Sequence, residues 1–356
     1  MILLAVLMAA MLSTASAQQT KILTAEKHNE YGLIYTLPIT AFDVEVTAVK
    51  EVRQAGPYYQ YAKKYIGTDK VIKENAEVWT IQSVTLRPYG VPDPDERYLM
   101  QLKAGATTFI GVDEDGMLLS INKNPVIGQV EKPQTVPMEG EKLAEREYLQ
   151  YVDEDFIASQ STSKQAQMLA ENLMEIRESK LALTRGTADV MPTDGKQLEL
   201  MLNSLRHQEL ALTAAFVGNS TKETVVRNFT FIPSESGKTV LFRMSNFAGF
   251  VDADDYSGDP VYVSVDVTNQ GELPVDAKGE VKKLPKDAVV YCVPGTAEIS
   301  VQTLGKNLFS KEFEIAQFGV TFGLDPSLFT DKKAPSYAVF DPATGALKEL
   351  GTVKNE

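Results

Sequence analysis

The hydrophobic period of this sequence changes twice, from two to about 3.6 and back to two, and each period permits one kind of element. Phe42-Asp43-Val44-Glu45-Val46-Thr47-Ala48-Val49 alternates apolar and polar residues, as does Val78-Trp79-Thr80-Ile81-Gln82-Ser83-Val84. Both predict strands with one buried face. Tyr98-Leu99-Met100-Gln101-Leu102, Thr107-Thr108-Phe109-Ile110-Gly111-Val112 and Met117-Leu118-Leu119-Ser120-Ile121 extend the pattern, with Asp113-Glu114-Asp115-Gly116 supplying turn chemistry between the last two. The spacing predicts an antiparallel β domain over residues 18–135.

In the middle of the chain the period becomes helical. Thr162-x-x-Gln165 has capping-box form, and Ala166, Leu169, Leu173 and Ile176 follow at three- and four-residue spacing up to Gly186. Asp194-x-x-Gln197 opens a second helix with the stripe Leu198, Met201, Leu205, Leu212 and Phe216, ended by Gly218. Helices of about 20 residues span about 30 Å each at 1.5 Å per residue. Their short connection predicts an antiparallel helical hairpin within residues 136–220.

Alternation returns in Thr224-Val225-Val226-Arg227-Asn228-Phe229-Thr230-Phe231-Ile232, and continues through Val261–Val267, Val289–Val293 and Phe313–Gly319. A second β domain is expected over 221–330, with a loose tail over 331–356. The expected fold is therefore α+β, two antiparallel β-sandwich-like domains separated by a long α-helical hairpin. A short internal echo accompanies it. Tyr35-Thr-Leu-Pro38-x-Thr40-Ala41 parallels Tyr291-Cys-Val-Pro294-x-Thr296-Ala297, and Val112-Asp113-Glu-Asp115 parallels Val251-Asp252-Ala-Asp254.

Residues 1–17 are an apolar run ending in Ala15-Ser16-Ala17, the small-residue pattern of a signal-peptidase site, although no Lys or Arg precedes the core. An exported mature chain beginning near Gln18 is expected, periplasmic or outer-membrane-associated. No Cys follows the cleavage site, so lipid attachment there is not expected. No later run approaches the 18 apolar residues of a spanning helix.

Composition narrows the chemistry. The 356 residues carry 35 Lys and Arg against 48 Asp and Glu, a formal charge of −13, which opposes binding to nucleic-acid phosphates or to anionic lipid. A single Cys, Cys292, cannot form an internal disulfide or a CxxC pair. His28 and His207 are far apart in sequence, and His207, beside the polar Gln208-Glu209, reads as a surface residue. GxSxG, HExxH, Walker and GxGxxG patterns are missing from any supporting context.

Two features could carry binding. In Gly56-Pro57-Tyr58-Tyr59-Gln60-Tyr61-Ala62-Lys63-Lys64-Tyr65-Ile66-Gly67, helical spacing puts Tyr58, Tyr61 and Tyr65 on one face. Exposed, that face would stack on sugar rings or anchor a protein; buried, it would dock the helix on a sheet. Asp252, Asp254, Asp255 and Asp259 crowd one loop and could ligate Ca²⁺. Their spacing departs from an EF-hand, with Ser257 at the sixth position, and turn chemistry alone also explains such a loop.

Tyr35-Thr-Leu-Pro38, Gly56-Pro57-Tyr58 with Tyr61-Ala62, Lys64-Tyr65-Ile66-Gly67, Ile176-Arg177-Glu178-Ser179, Asp194-Gly195-Lys196, Glu209, Phe216-x-Gly218, Tyr291 with Pro294, and Gln317-Phe318-Gly319 together resemble an uncharacterised exported family of Bacteroidota, a domain of unknown function. Cys292 stands where a basic residue is expected after Tyr291. The resemblance spans nearly the whole mature chain and implies a Gram-negative envelope protein. It brings no catalytic residue set with it.

The expected function is non-catalytic binding of other periplasmic or outer-membrane components. The alternative is a glycan-directed binding module or a glycoside hydrolase, which would need aromatic platforms and two carboxylates across a cleft.

Overall fold

Thirteen strands and five helices form among the residues described by the computed structural model, which are 20–22, 32–100, 109–125, 139–285, 287–331 and 334–353. The expected signal segment, 1–17, lies outside them. The strands are β1 (Thr20–Ile22), β2 (Leu33–Gln54), β3 (Ala76–Met100), β4 (Ile110–Val112), β5 (Leu118–Ile121), β6 (Asn219–Phe231), β7 (Gly237–Ser245), β8 (Gly249–Val251), β9 (Asp259–Asn269), β10 (Val289–Thr303), β11 (Lys306–Leu324), β12 (Ser336–Phe340) and β13 (Leu347–Thr352). The helices are α1 (Ala62–Tyr65), α2 (Glu154–Ala158), α3 (Thr162–Arg185), α4 (Gly195–Val217) and α5 (Ser327–Thr330). No helix among the described residues is long and apolar enough to cross a membrane.

The strands make three antiparallel sheets, ordered β1-β3-β2-β6, β11-β10-β9-β7-β8 and β13-β12-β5-β4. The fold is mostly β. The expected pair of β-sandwich-like domains separated by a long helical hairpin is not what forms. β6, which follows the helices, pairs with β2, which precedes them, from Gln54↔Asn219 to Phe42↔Phe231 without a register shift. α3 and α4 are thus an excursion from one end of the first sheet. Alternation identifies each strand but not its partner, and nothing local marks a pairing across some 180 residues. Within the expected tail, the described residues form β12 and β13, and β12 joins β5 through Ala338↔Ile121.

The first core lies between the first and second sheets. The inward face of β2, Phe42, Val44, Val46 and Ala48, is fully buried against Phe242, Val263, Ile299 and Ile315. Phe229 and Phe242 stack with ring centroids 4.4 Å apart. Each such side chain contributes roughly 1.5–3 kcal/mol by burial. A further β core gathers Tyr35, Leu37 and Tyr98 with Leu118, Ile121, Val289, Ala338 and Phe340.

Four strands serve both of these cores by bending. β2 shifts register between Thr36 and Pro38, where Pro38 faces Pro92 of β3, and β10 shifts between Val293 and Gly295. The sequence echo falls on these bends, with Tyr35 and Tyr291 preceding Pro38 and Pro294 at matching places. A proline lacks the N–H that a continuous ladder needs, so a shift beside it relieves the pairing. Tyr35 is buried, and its hydroxyl both accepts from the Val290 N–H (2.9 Å) and donates to the Val290 carbonyl (3.2 Å). The second echo also has a structural counterpart: Val112 and Val251 each end a three-residue strand before an acidic turn.

The remaining core is helical. Asp194 caps α4 by accepting from the Gln197 N–H at 2.8 Å. Ser161, one residue before the expected Thr162, caps α3. α3 ends at Gly186, whose φ of +70° suits a residue without a Cβ. Leu169 and Leu173 of α3 meet Leu212 and Phe216 of α4 with Tyr148, Phe156 and Tyr58.

Candidate functional site

The Tyr58–Tyr65 segment is held against the helical core. It forms a short 3-10 turn at Tyr59–Tyr61 that continues into α1. Gly56 is required there by close approach, since a Cβ would fall 2.8 Å from the carbonyl oxygens of Ala214 and Ala215. The Tyr58 N–H donates to the Ala215 carbonyl at 2.9 Å, fixing the segment on the end of α4. Tyr58 is buried, edge-to-face with Tyr148 (5.9 Å) and Phe156 (6.3 Å). Tyr61 and Tyr65 pack partly buried against the same core. The three rings therefore do not form one open platform.

The acidic loop after β8 is exposed, and Arg243 of β7 organises it. Arg243 donates from Nε to the Ala253 carbonyl (2.8 Å) and from Nη1 to the Gly258 carbonyl (3.2 Å), and its guanidinium lies 4.4 Å from the Tyr256 ring. Asp255 accepts from the Ser257 N–H at 2.9 Å, which holds its carboxyl below the usual range. The Asp255 N–H in turn donates to the Asp252 carbonyl at 3.1 Å. These are the bonds of a turn. Among the described residues, no group of three or more His, Cys, Asp or Glu side chains is placed to hold a metal, so Asp252, Asp254, Asp255 and Asp259 do not converge.

A surface that the sequence did not single out stands at the far end of the helix pair. The fully buried residues of α4 are Ala211, Leu212, Ala215 and Phe216, all in its last two turns. None of its first 16 residues, about 24 Å of helix, is fully buried, although Leu205 packs against the same core. Of the expected stripe, Leu212 and Phe216 are buried, whereas Met201 is exposed. Around it Val190 (80%), Leu200 (63%), Leu181 and Met191 are open to solvent. Between the helices and the 187–190 loop lies a groove of about 520 Å³, lined by Leu183, Val190, Met201 and Leu205 together with the polar Ser179, Thr187, Asp189 and Ser204. Methionine side chains adapt to varied apolar partners, so such a groove suits protein contact. The signal was present as an apolar stripe longer than the core available to cover it.

His207 is not a bare surface residue. One third exposed, it is held by Glu141 at Nδ1 and Glu147 at Nε2. Carboxylates accept, so both ring nitrogens must carry protons for both bonds to form. Glu141 first, then Glu147, raises the His207 pKa. The two carboxylates sit on opposite sides of the ring and cannot close on one ion. Next to them is a cavity of about 290 Å³, lined by Pro57, Asn75, Glu147, Tyr148, Ala211 and Ala215.

Neither a curated protein nor a solved structure matches the chain. A family profile does, that of Domain of unknown function (DUF4831), over residues 31–348. That span runs from two residues before β2 into β13 and takes in all three cores, so the chain belongs to the DUF4831 family.

Proposed function

We propose that this protein is an exported, non-catalytic binding component of a Gram-negative cell envelope of the Bacteroidota type, engaging another envelope protein through the distal end of α3 and α4. The observation that carries the reading is the open groove between those helices, with Val190 and Met201 exposed in its lining and Leu200 exposed next to Met201 in the chain. Burying such side chains against a partner is worth roughly 25 cal/mol per Å². The Ala15-Ser16-Ala17 motif after an apolar run supports export.

The test is in-cell photocrosslinking with a photoreactive residue at position 200, compared with one at position 348 on β13. The expected result is reproducible recovery of one envelope protein from position 200, abolished by Val190→Asp. Equal recovery from both positions, or none from position 200 together with saturable binding on a glycan array, would overturn the protein-docking reading and favour a glycan ligand.

A further inference from the structure

The chain between Glu139 and Tyr148 is a flap fixed at both ends and pinned between them by buried Leu143 and by a bond from Asn219 Nδ2 to the Glu141 carbonyl (3.1 Å). At one end, Glu139 and Lys222 of β6 exchange two backbone hydrogen bonds of 2.9 Å each. At the other, Tyr148 is buried edge-to-face against Tyr58. Between these anchors the flap borders the 290 Å³ cavity, to which it contributes Ala144, Glu145, Arg146 and Glu147.

Two features bear on how the flap is held. Arg146 is held at φ +54°, in the left-handed region that disfavours a residue with a Cβ. Opposing that strain, Glu141 and Glu147 clasp the two nitrogens of His207, which lies one turn of α4 before the cavity-lining Ala211. We propose that the Glu141–His207–Glu147 bridge is a pH-controlled latch that closes this flap over the cavity while the imidazole is doubly protonated.

The groups facing the ring set the direction. From the flap come Glu141 and Glu147, and from the turn that follows, Tyr151, whose ring lies edge-on at 6.4 Å. α3 contributes Arg177 and Lys180, but both are committed to Glu209. Glu209 lies two residues beyond His207 on α4, hence on a different face. The ring is thus flanked by carboxylates, which favour its charged form. Its pKa is raised above the ordinary histidine value, so the latch is complete below that value and is lost as pH rises through the shifted one. Neutral imidazole has one N–H, which leaves one carboxylate without its donor and two anions beside each other. On the acid side the Ala144 N–H, with His207 adding to it, lowers the Glu147 pKa, so that half of the latch keeps its charge to lower pH.

The test uses the full mature chain, whose two histidines make ring NMR signals simple to assign. His207 is titrated by NMR, and amide hydrogen exchange across 140–147 is followed over the same pH range, corrected for intrinsic rates. His207 should titrate above the ordinary histidine value. Protection across 140–147 should fall about tenfold through the same midpoint, while α3 stays unchanged. Glu141→Gln should lower the midpoint, and His207→Gln should flatten the pH profile of the flap. A His207 titration at or below the ordinary value, or flap protection that ignores that titration, would overturn the proposal.

Discussion

The side-chain amide of Gln317 in β11 hydrogen-bonds both backbone groups of Thr40 in β2, as a neighbouring strand would. Its Oε1 accepts from the Thr40 N–H (2.9 Å), and its Nε2 donates to the carbonyls of Thr40 (2.9 Å) and Pro233 (3.0 Å). Thr40, fully buried, uses its hydroxyl to donate to the Ala343 carbonyl and to accept from the Ala316 N–H. At the bends the sheets can no longer pair main chain to main chain, and this pair of side chains satisfies the peptide groups left over.

Gln317→Ala removes three hydrogen bonds and leaves buried peptide groups without partners, so it should cost about 2–4 kcal/mol. Gln317→Glu should be nearly as damaging, because a carboxylate cannot donate to the two carbonyls. Urea denaturation of both variants checks this; a loss under about 0.5 kcal/mol for Gln317→Ala would refute the account.

Tyr58 is a packing residue whose hydroxyl donates to Gln165 Oε1 at 3.2 Å. Tyr58→Phe should therefore cost about 1 kcal/mol, whereas Tyr58→Ala should cost about 3–5 kcal/mol through the cavity left among Tyr148, Phe156 and Phe216. Thermal denaturation distinguishes the two. Equal losses would mean that the ring is not packed as described.

Leu200→Asp and Val190→Asp change side chains that already face water, so stability should stay within about 0.5 kcal/mol of the parent. Partner recovery in the crosslinking assay should nevertheless fall. Paired melting curves and pull-downs separate these effects, and a large drop in melting temperature would show the groove to be structural.

Cys292 is buried in β10, and burial pushes its thiol up to about 12, with Glu96 and Glu314 adding to the shift. An acid whose pKa is raised stays protonated at all lower pH, so the folded protein holds almost no thiolate at pH 8. Alkylation there should be about a thousandfold slower than in denaturant. Labelling at similar rates in both states would contradict the burial.

Local structure was legible wherever a period was complete. The alternation of Phe42 to Val49 marked the inward face of β2, and Asp194 and Gly186 marked helix ends. What the sequence concealed was pairing. β2 and β3, at 22 and 25 residues, read as several short strands because Pro38 and Pro92 interrupt each pattern, yet the two prolines face one another and the strands continue. The β2–β6 ladder was hidden by separation along the chain. The groove at the helix tip was hidden differently: a stripe such as Met201 and Leu205 looks the same whether or not a core lies opposite it. The His207 clasp could not be read either, since Glu141 and Glu147 are two acidic residues among 48.

β2 sends Tyr35 and Leu37 into one β core and Phe42, Val44 and Val46 into the other, and β10 likewise divides Val289 and Val290 from Ile299 and Val301. The two β cores are covalently continuous through these strands, so losing one core strips the other of the packed strand ends that lead into it. The β body should therefore melt as one cooperative unit, with a core substitution at either end lowering a single shared transition. The outer turns of α3 and α4, which share no strand with it, are free to loosen at lower temperature.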